Sequence, residues 1–136
     1  QGLSKMVDLS SIVYNEKRVE ILHPGTKEPL GVTVTLMAPD DKRLDKTRDA
    51  ITDQVLALQA KNKNLKADQV KHNRNMILFR AMVGWEWADG AEWNGEKLDF
   101  NQKNVVMLLN ELPWFLKQVD EAFSELEGFF DSGNSI

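Results

Sequence analysis

Residues 82–100 read Met82-Val83-Gly84-Trp85-Glu86-Trp87, then Ala88-Asp89-Gly90-Ala91-Glu92-Trp93-Asn94-Gly95-Glu96-Lys97-Leu98-Asp99-Phe100. Three of the four Trp residues (Trp85, Trp87, Trp93) fall in this stretch. It also holds two turn signals, Asp89-Gly90 and Asn94-Gly95. The second fits a two-residue hairpin turn, whose central positions both need positive φ. Rigid amphipathic rings beside tight turns mark a structural corner or a docking site. No cluster of reactive side chains accompanies them, so the stretch points to an interaction protein and away from an enzyme.

Upstream, helical spacing predicts a helix from Lys66 or Ala67 to about Trp85. Val70, Ile77, Ala81 and Gly84 share one side, and Met76, Leu78, Phe79, Met82 and Val83 widen the apolar surface. Its C-terminal half is expected to be the most buried segment, with Trp85 in the core. An earlier helix opens at Pro39-Asp40-Asp41, with Asp40 as N-cap. Leu44, Ile51, Val55 and Leu58 form its stripe, and Lys61-Asn62-Lys63-Asn64 ends it. Before it lie two strands, Arg18 to Leu22 and Leu30 to Met37. Val32, Val34 and Leu36 alternate with Thr33 and Thr35, the period of a half-buried strand. The turn-rich Pro24–Pro29 segment joins them into a hairpin. A lone hairpin is marginal in water, so its apolar face must rest on helices.

Downstream, Asn101 is placed to N-cap a third helix, with Phe100 packing on Val105 as a staple. Val105, Leu108, Leu109 and Leu112 give its inner face. Pro113 lacks an N–H and restarts the chain as a fourth helix. Leu116, Val119, Phe123, Leu126 and Phe130 step along it by threes and fours, with Phe115, Ala122 and Phe129 extending that face. Asp120, Glu121, Glu125 and Glu127 lie outside. Trp114 reads as core.

The expected architecture is therefore α+β, mainly α. A β-hairpin packs on about four helices, with a small Trp-rich turn between helices two and three. Residues 1–16 read as a flexible lead-in, 17–130 as one domain and 131–136 as a frayed tail. A chain of 136 residues suits one domain and buries enough surface to need no metal or disulfide. It has no cysteine, which excludes thiolate chemistry and disulfides. No apolar run reaches the roughly 18 residues of a membrane span. No secretory signal is visible between Gly2 and Tyr14.

Charge is unevenly spread over a net of −4. Residues 1–60 are near balance, residues 61–84 carry +5 and residues 85–136 carry −8. A basic middle and an acidic end allow attraction between copies. Lys61, Lys63 and Lys66 are candidates for one side of such a contact, Glu121 and Glu125 for the other. Equally, both runs can be solvated helix faces.

The sequence gives little material for catalysis. The only histidines are His23 and His72. His72 follows Asp68 by four residues, so the two share a helix face, but neither a third metal ligand nor a nucleophile joins them. HExxH, P-loop and GxGxxG patterns are absent. No catalytic residue, cofactor or metal ligand is expected. The negative net charge and the separation of Trp from the basic run argue against nucleic-acid binding. Trp87 and Trp93 fit either core or a partner surface, and with Leu98 they form the candidate partner-binding set.

Gly84-Trp85-Glu86, the Gly-containing elbow, Leu98-Asp99-Phe100-Asn101 opening a capped helix, then a Leu-rich helix, a Trp and a final apolar-acidic helix form a combination. It resembles the tail assembly chaperones of long-tailed, lambda-like and HK97-like bacteriophages over roughly residues 17–130. The resemblance implies a non-catalytic protein that coats the tape measure protein and keeps it soluble before the tail tube assembles. It also implies a longer form, made by ribosomal frameshifting, that recruits tail tube protein. Such a chaperone acts in the host cytoplasm and is absent from the finished virion, and self-association is expected from the charge pattern. A tail completion or connector protein of the virion is the alternative.

Overall fold

The computed structural model describes residues 16–134, so the expected lead-in falls almost wholly outside the described residues. The element order is β1 (Lys17–Leu22), β2 (Pro29–Leu36), a 3-10 turn (Lys42–Leu44), α1 (Asp45–Gln59), α2 (Ala67–Ala81), β3 (Met82–Trp87), α3 (Gln102–Glu111) and α4 (Pro113–Asn134). The class is α+β and mainly α, as the pattern predicts, with the hairpin at the N-terminal side.

The main correction lies in the opening stretch. The second helix stops at Ala81, and Met82–Trp87 is a strand. The sheet has three antiparallel strands in the order β1-β2-β3. Gly84 pairs with Thr35 but Met82 pairs with Leu36, so Val83 is an extra, bulged residue. The bulge shifts the side-chain phase. Met82, Trp85 and Trp87 thereby all pack toward the core, while Val83 is 39% exposed.

β2 follows the predicted alternation. Val34 and Leu36 are fully buried, while Thr33 and Thr35 lie on the other face. By register Arg18, Glu20, Gly84 and Glu86 share that outer face, where Arg18 and Glu86 form an ion pair at 3.2 Å. The inner face, with Ile21, packs on Leu78 and Ala81 of α2, Val105, Leu108 and Leu109 of α3, and Phe115, Val119 and Phe123 of α4. Each of these side chains larger than Ala81 contributes roughly 1.5–3 kcal/mol by leaving water.

The helix ends follow local chemistry. Asn101 caps α3 as expected, accepting from the Asn104 N–H at 2.8 Å. Phe100, expected against Val105, lies 5.9 Å from Phe79 and 5.7 Å from Trp85, ring centre to ring centre. Asp41, not Asp40, caps the turn before α1, accepting from the Arg43 N–H at 2.9 Å. Pro113 starts α4, which runs to Asn134, past the expected end at 130. The side chains of Phe129 and Phe130 lie outside the described ones. α1 is peripheral. Of its predicted stripe only Leu44, in the preceding turn, is buried; Ile51, Val55 and Leu58 are half-buried and Leu56 is exposed. Val70 of α2 is exposed as well.

Two asparagines of α2 tie it to its neighbours. Asn73 donates to Gln54 at 2.9 Å between α2 and α1. Asn75, a buried polar residue that sequence pattern did not mark, donates to Asn110 at 3.0 Å and links α2 to α3.

Candidate functional site

An apolar groove of about 430 Å³ lies between the hairpin end of the sheet, the elbow and the facing residues of α3 and α4. Ile21, Leu30 and Val32 form its floor. Leu108, Leu112 and Phe115 form the helical wall, and Trp87, Trp93 and Trp114 its sides. Three of the four Trp residues thus converge on one surface.

The elbow positions two of them. Its first turn closes with an Ala91 N–H bond to Ala88 O at 3.0 Å. Ala88 N–H bonds Gly31 O at 2.7 Å, drawing the elbow onto β2. A Cβ at Gly31 would meet Ala88 and Ala91 at 3.3 Å, and its φ of 83° already disfavours a side chain. The second turn forms as predicted. Asn94 and Gly95 have φ of 52° and 84°. Trp93 and Glu96 exchange backbone bonds at 2.7 and 3.2 Å. Asn94-Gly95 therefore sets the position of Trp93. Lys97 and Asp89 close the elbow with an ion pair at 2.8 Å, and this bond from Lys97 holds the exposed Asp89 carboxyl below its ordinary value.

The Trp residues have separate roles. Trp85 donates to Leu98 O at 3.0 Å and meets Trp87 edge-on at 5.4 Å. It belongs to the half-buried base of the elbow. Trp87 is wedged between that base and the groove. Its indole N–H is buried and is the one such side-chain donor without a partner among the described residues. Trp93 and Trp114 are half-buried.

Of the three candidate partner-binding residues, the structure brings Trp87 and Trp93 together and leaves Leu98 behind. Leu98 packs on the core beneath Trp85 and does not line the groove. Trp114, read from sequence as core, lines it instead. Its place after Pro113 was the available signal, since a helix start exposes its first turn.

The candidate self-association residues are far less united. Lys61, Lys63 and Lys66 are exposed in the α1–α2 connection and take part in no ion pair among the described residues. Glu125 faces Lys17 at 3.0 Å, and Glu121 faces Lys117 at 4.0 Å. The attraction between basic middle and acidic end is partly spent inside the chain. Arg74 bonds Asp120 at 2.8 Å and Glu127 at 3.2 Å, and its guanidinium lies 5.4 Å from the Phe123 ring centre. Burial pulls the Arg74 pKa down, but the bonds to Asp120 and Glu127 outweigh it, so the net shift is upward.

A second, wider groove of about 750 Å³ lies between α1 and α2, with Lys46, His72, Arg80, Ile51 and Met76 among its walls. His72 does not engage Asp68, whose carboxylate accepts the Gln69 N–H. His23 is a turn staple: its Nδ1 accepts the N–H groups of Gly25 and Thr26 at 3.0 and 3.1 Å. Among the described residues no group of three His, Asp or Glu is placed to hold a metal, and no helix is long and apolar enough to cross a membrane. The Trp groove is the stronger candidate for binding a polypeptide, because convergent aromatic anchors dominate such contacts. Comparison with family models, curated proteins and solved structures returns no match for this chain.

Proposed function

We propose that this protein is a non-catalytic assembly chaperone that holds an amphipathic segment of another polypeptide in the groove between Trp87, Trp93 and Trp114. The observation that supports the reading is the convergence of these rings on one apolar slot. The chain from Trp85 onward carries −8 and includes Glu92 in the groove wall, so a basic amphipathic segment is the favoured occupant.

On the resemblance of its elbow and capped helix, we place the protein among phage tail assembly chaperones, with the tape measure protein as the partner. A coat of many copies binds a long, repetitive polypeptide through many weak sites, which gives avidity and still permits release. In this reading a longer, frameshifted form brings tail tube protein, the copies associate with one another, and the protein works in the host cytoplasm and leaves before the virion is complete. The exposed Lys61, Lys63 and Lys66 are available for contacts between copies.

The test is co-expression with the tape measure product of the same gene cluster. The reading expects the tape measure protein to become soluble and to co-purify with this chain. Insoluble tape measure protein in both the presence and absence of this chain would contradict it. Recovery of this chain from purified particles would favour the tail completion or connector reading.

A further inference from the structure

The two edges of the sheet are finished differently. On β1, the His23 N–H bond to Glu28 O sets which residues face β2, and it turns the N–H and C=O of Leu22 outward. Gln118 of α4 takes both: its Oε1 accepts the Leu22 N–H and its Nε2 donates to Leu22 O, each at 2.8 Å. The carboxamide stands in for a neighbouring strand. Lys17, Arg18 and Glu20 add charge along the same edge, a common protection against pairing.

On β3 the Ala88 N–H bond to Gly31 O fixes the parity in the same way. Gly84 and Glu86 direct their backbone groups to β2. Trp85 and Trp87 direct theirs outward, where they meet no hydrogen-bond partner among the described residues. β3 has a single charge, no Lys and no Pro, and Val83 lies exposed at its bulge. Gly84 adds a second sign. A Cβ there would meet nothing within 4 Å, and its φ lies outside the left-handed region. Glycine in a strand marks a bulge, as beside Val83 here, and it also leaves room for another backbone to approach closely.

We propose that β3 is a pairing edge for a second copy of this protein, joined antiparallel about Trp85. That register bonds the outward groups of Trp85 to those of Trp85 in the second copy, with Trp87 of each copy beside the bulge at Val83 of the other. It sets Glu86 of each copy opposite Gly84 of the other, in the space that the missing side chain leaves. No like charges face each other. Glu86 arrives on the face that carries Arg18, the group that already attracts it within the chain. A shift of one pairing step would set Glu86 against Glu86, so charge selects the register. The result is a six-stranded, two-fold sheet whose outer edges are both closed by Gln118.

The edge uses the backbone of Trp87 while the groove uses its ring, and Lys61–Lys66 lie elsewhere, so failure of the pairing leaves the chaperone reading standing. The test uses the full chain in sedimentation velocity and amide hydrogen exchange over a range of concentrations. The wild type should form a dimer in which the Trp85 and Trp87 amides gain protection as concentration rises. Val83→Lys should weaken the dimer at least about tenfold by placing charge on the edge. Gly84→Val has room within its own chain and suits a strand, so it should fold at least as stably while losing the dimer. A wild type that stays monomeric with fast exchange at Trp85 overturns the proposal, and so does a dimer indifferent to both substitutions. Protection of Trp85 only when tape measure protein is added would assign the edge to a different chain and overturn it as well.

Discussion

Arg74 of α2 lies 2.8 Å from Asp120 of α4, with Glu127 at 3.2 Å, so the basic middle of the sequence clamps the acidic last helix of its own chain. Arg74 is about one-third exposed, which screens the pair, but its planar fork serves two carboxylates and covers Phe123. Arg74→Met should cost about 1–2 kcal/mol in urea unfolding at low salt, and less at 1 M salt. Arg74→Lys should recover only part of the loss, because an ammonium lacks the fork. Equal stability of all three proteins would show that the clamp is incidental.

Gln118 closes the β1 edge through two bonds at one residue. Gln118→Leu keeps comparable bulk but strands the Leu22 N–H and C=O in a half-buried place. The expected loss is about 1–3 kcal/mol, read from the denaturant midpoint at unchanged slope.

The turn at Asn94-Gly95 connects local stability to the groove. Gly95 sits at φ 84°, where a Cβ is strained. Gly95→Ala should destabilise by about 1–2 kcal/mol. It should also weaken partner binding, because Trp93 sits on the turn. Gly95→Asn, which tolerates positive φ, should restore most of both. Unaltered binding in a destabilised Gly95→Ala protein would separate Trp93 placement from function.

Asp41 supplies a pH test. The side-chain bond from Arg43, with the Arg43 N–H, lowers its carboxyl pKa in the folded state. Stability from this group is therefore present above the unfolded value and lost as pH falls through the lower folded value. The window lies below about pH 4. Asp41→Asn should lower stability at pH 7 and show a shallower decline than the wild type below pH 4. Parallel acid limbs for the two proteins would remove Asp41 from the account.

Much of this fold can be read from local chemistry. The alternation of Val32, Val34 and Leu36 with Thr33 and Thr35 gives β2. Asn94-Gly95, Asn101 and Pro113 give a turn, a cap and a helix start, because each acts through its immediate neighbours. Met82 to Trp85 reads as the end of a helix for a physical reason, although it is part of β3. The bulge at Val83 sets its inward residues three and then two apart, and the step from Met82 to Trp85 imitates helical spacing. A strand is also held by partners, here Val32 to Leu36, some fifty residues away, which no local pattern reports. The candidate site was half legible. Trp87 and Trp93 were marked by their elbow. Trp114 and the groove itself depend on how α4 meets the hairpin, a tertiary fact. Where the charge runs lead is a tertiary fact as well: Arg74 of the basic run meets Asp120 and Glu127 of α4, which the linear order separates from it, while Lys61, Lys63 and Lys66 have no ion pair among the described residues.

The most direct measurement compares the wild type with Trp93→Asp in co-expression with the tape measure protein. Trp93 is half-buried at the rim, and truncating an anchor of this kind costs about 2 kcal/mol or more of binding. The account predicts soluble, co-purifying tape measure protein with the wild type. With Trp93→Asp, which should itself stay folded by circular dichroism, the tape measure protein should be insoluble. Equal rescue by both proteins would contradict the claim that this groove is where the partner is held.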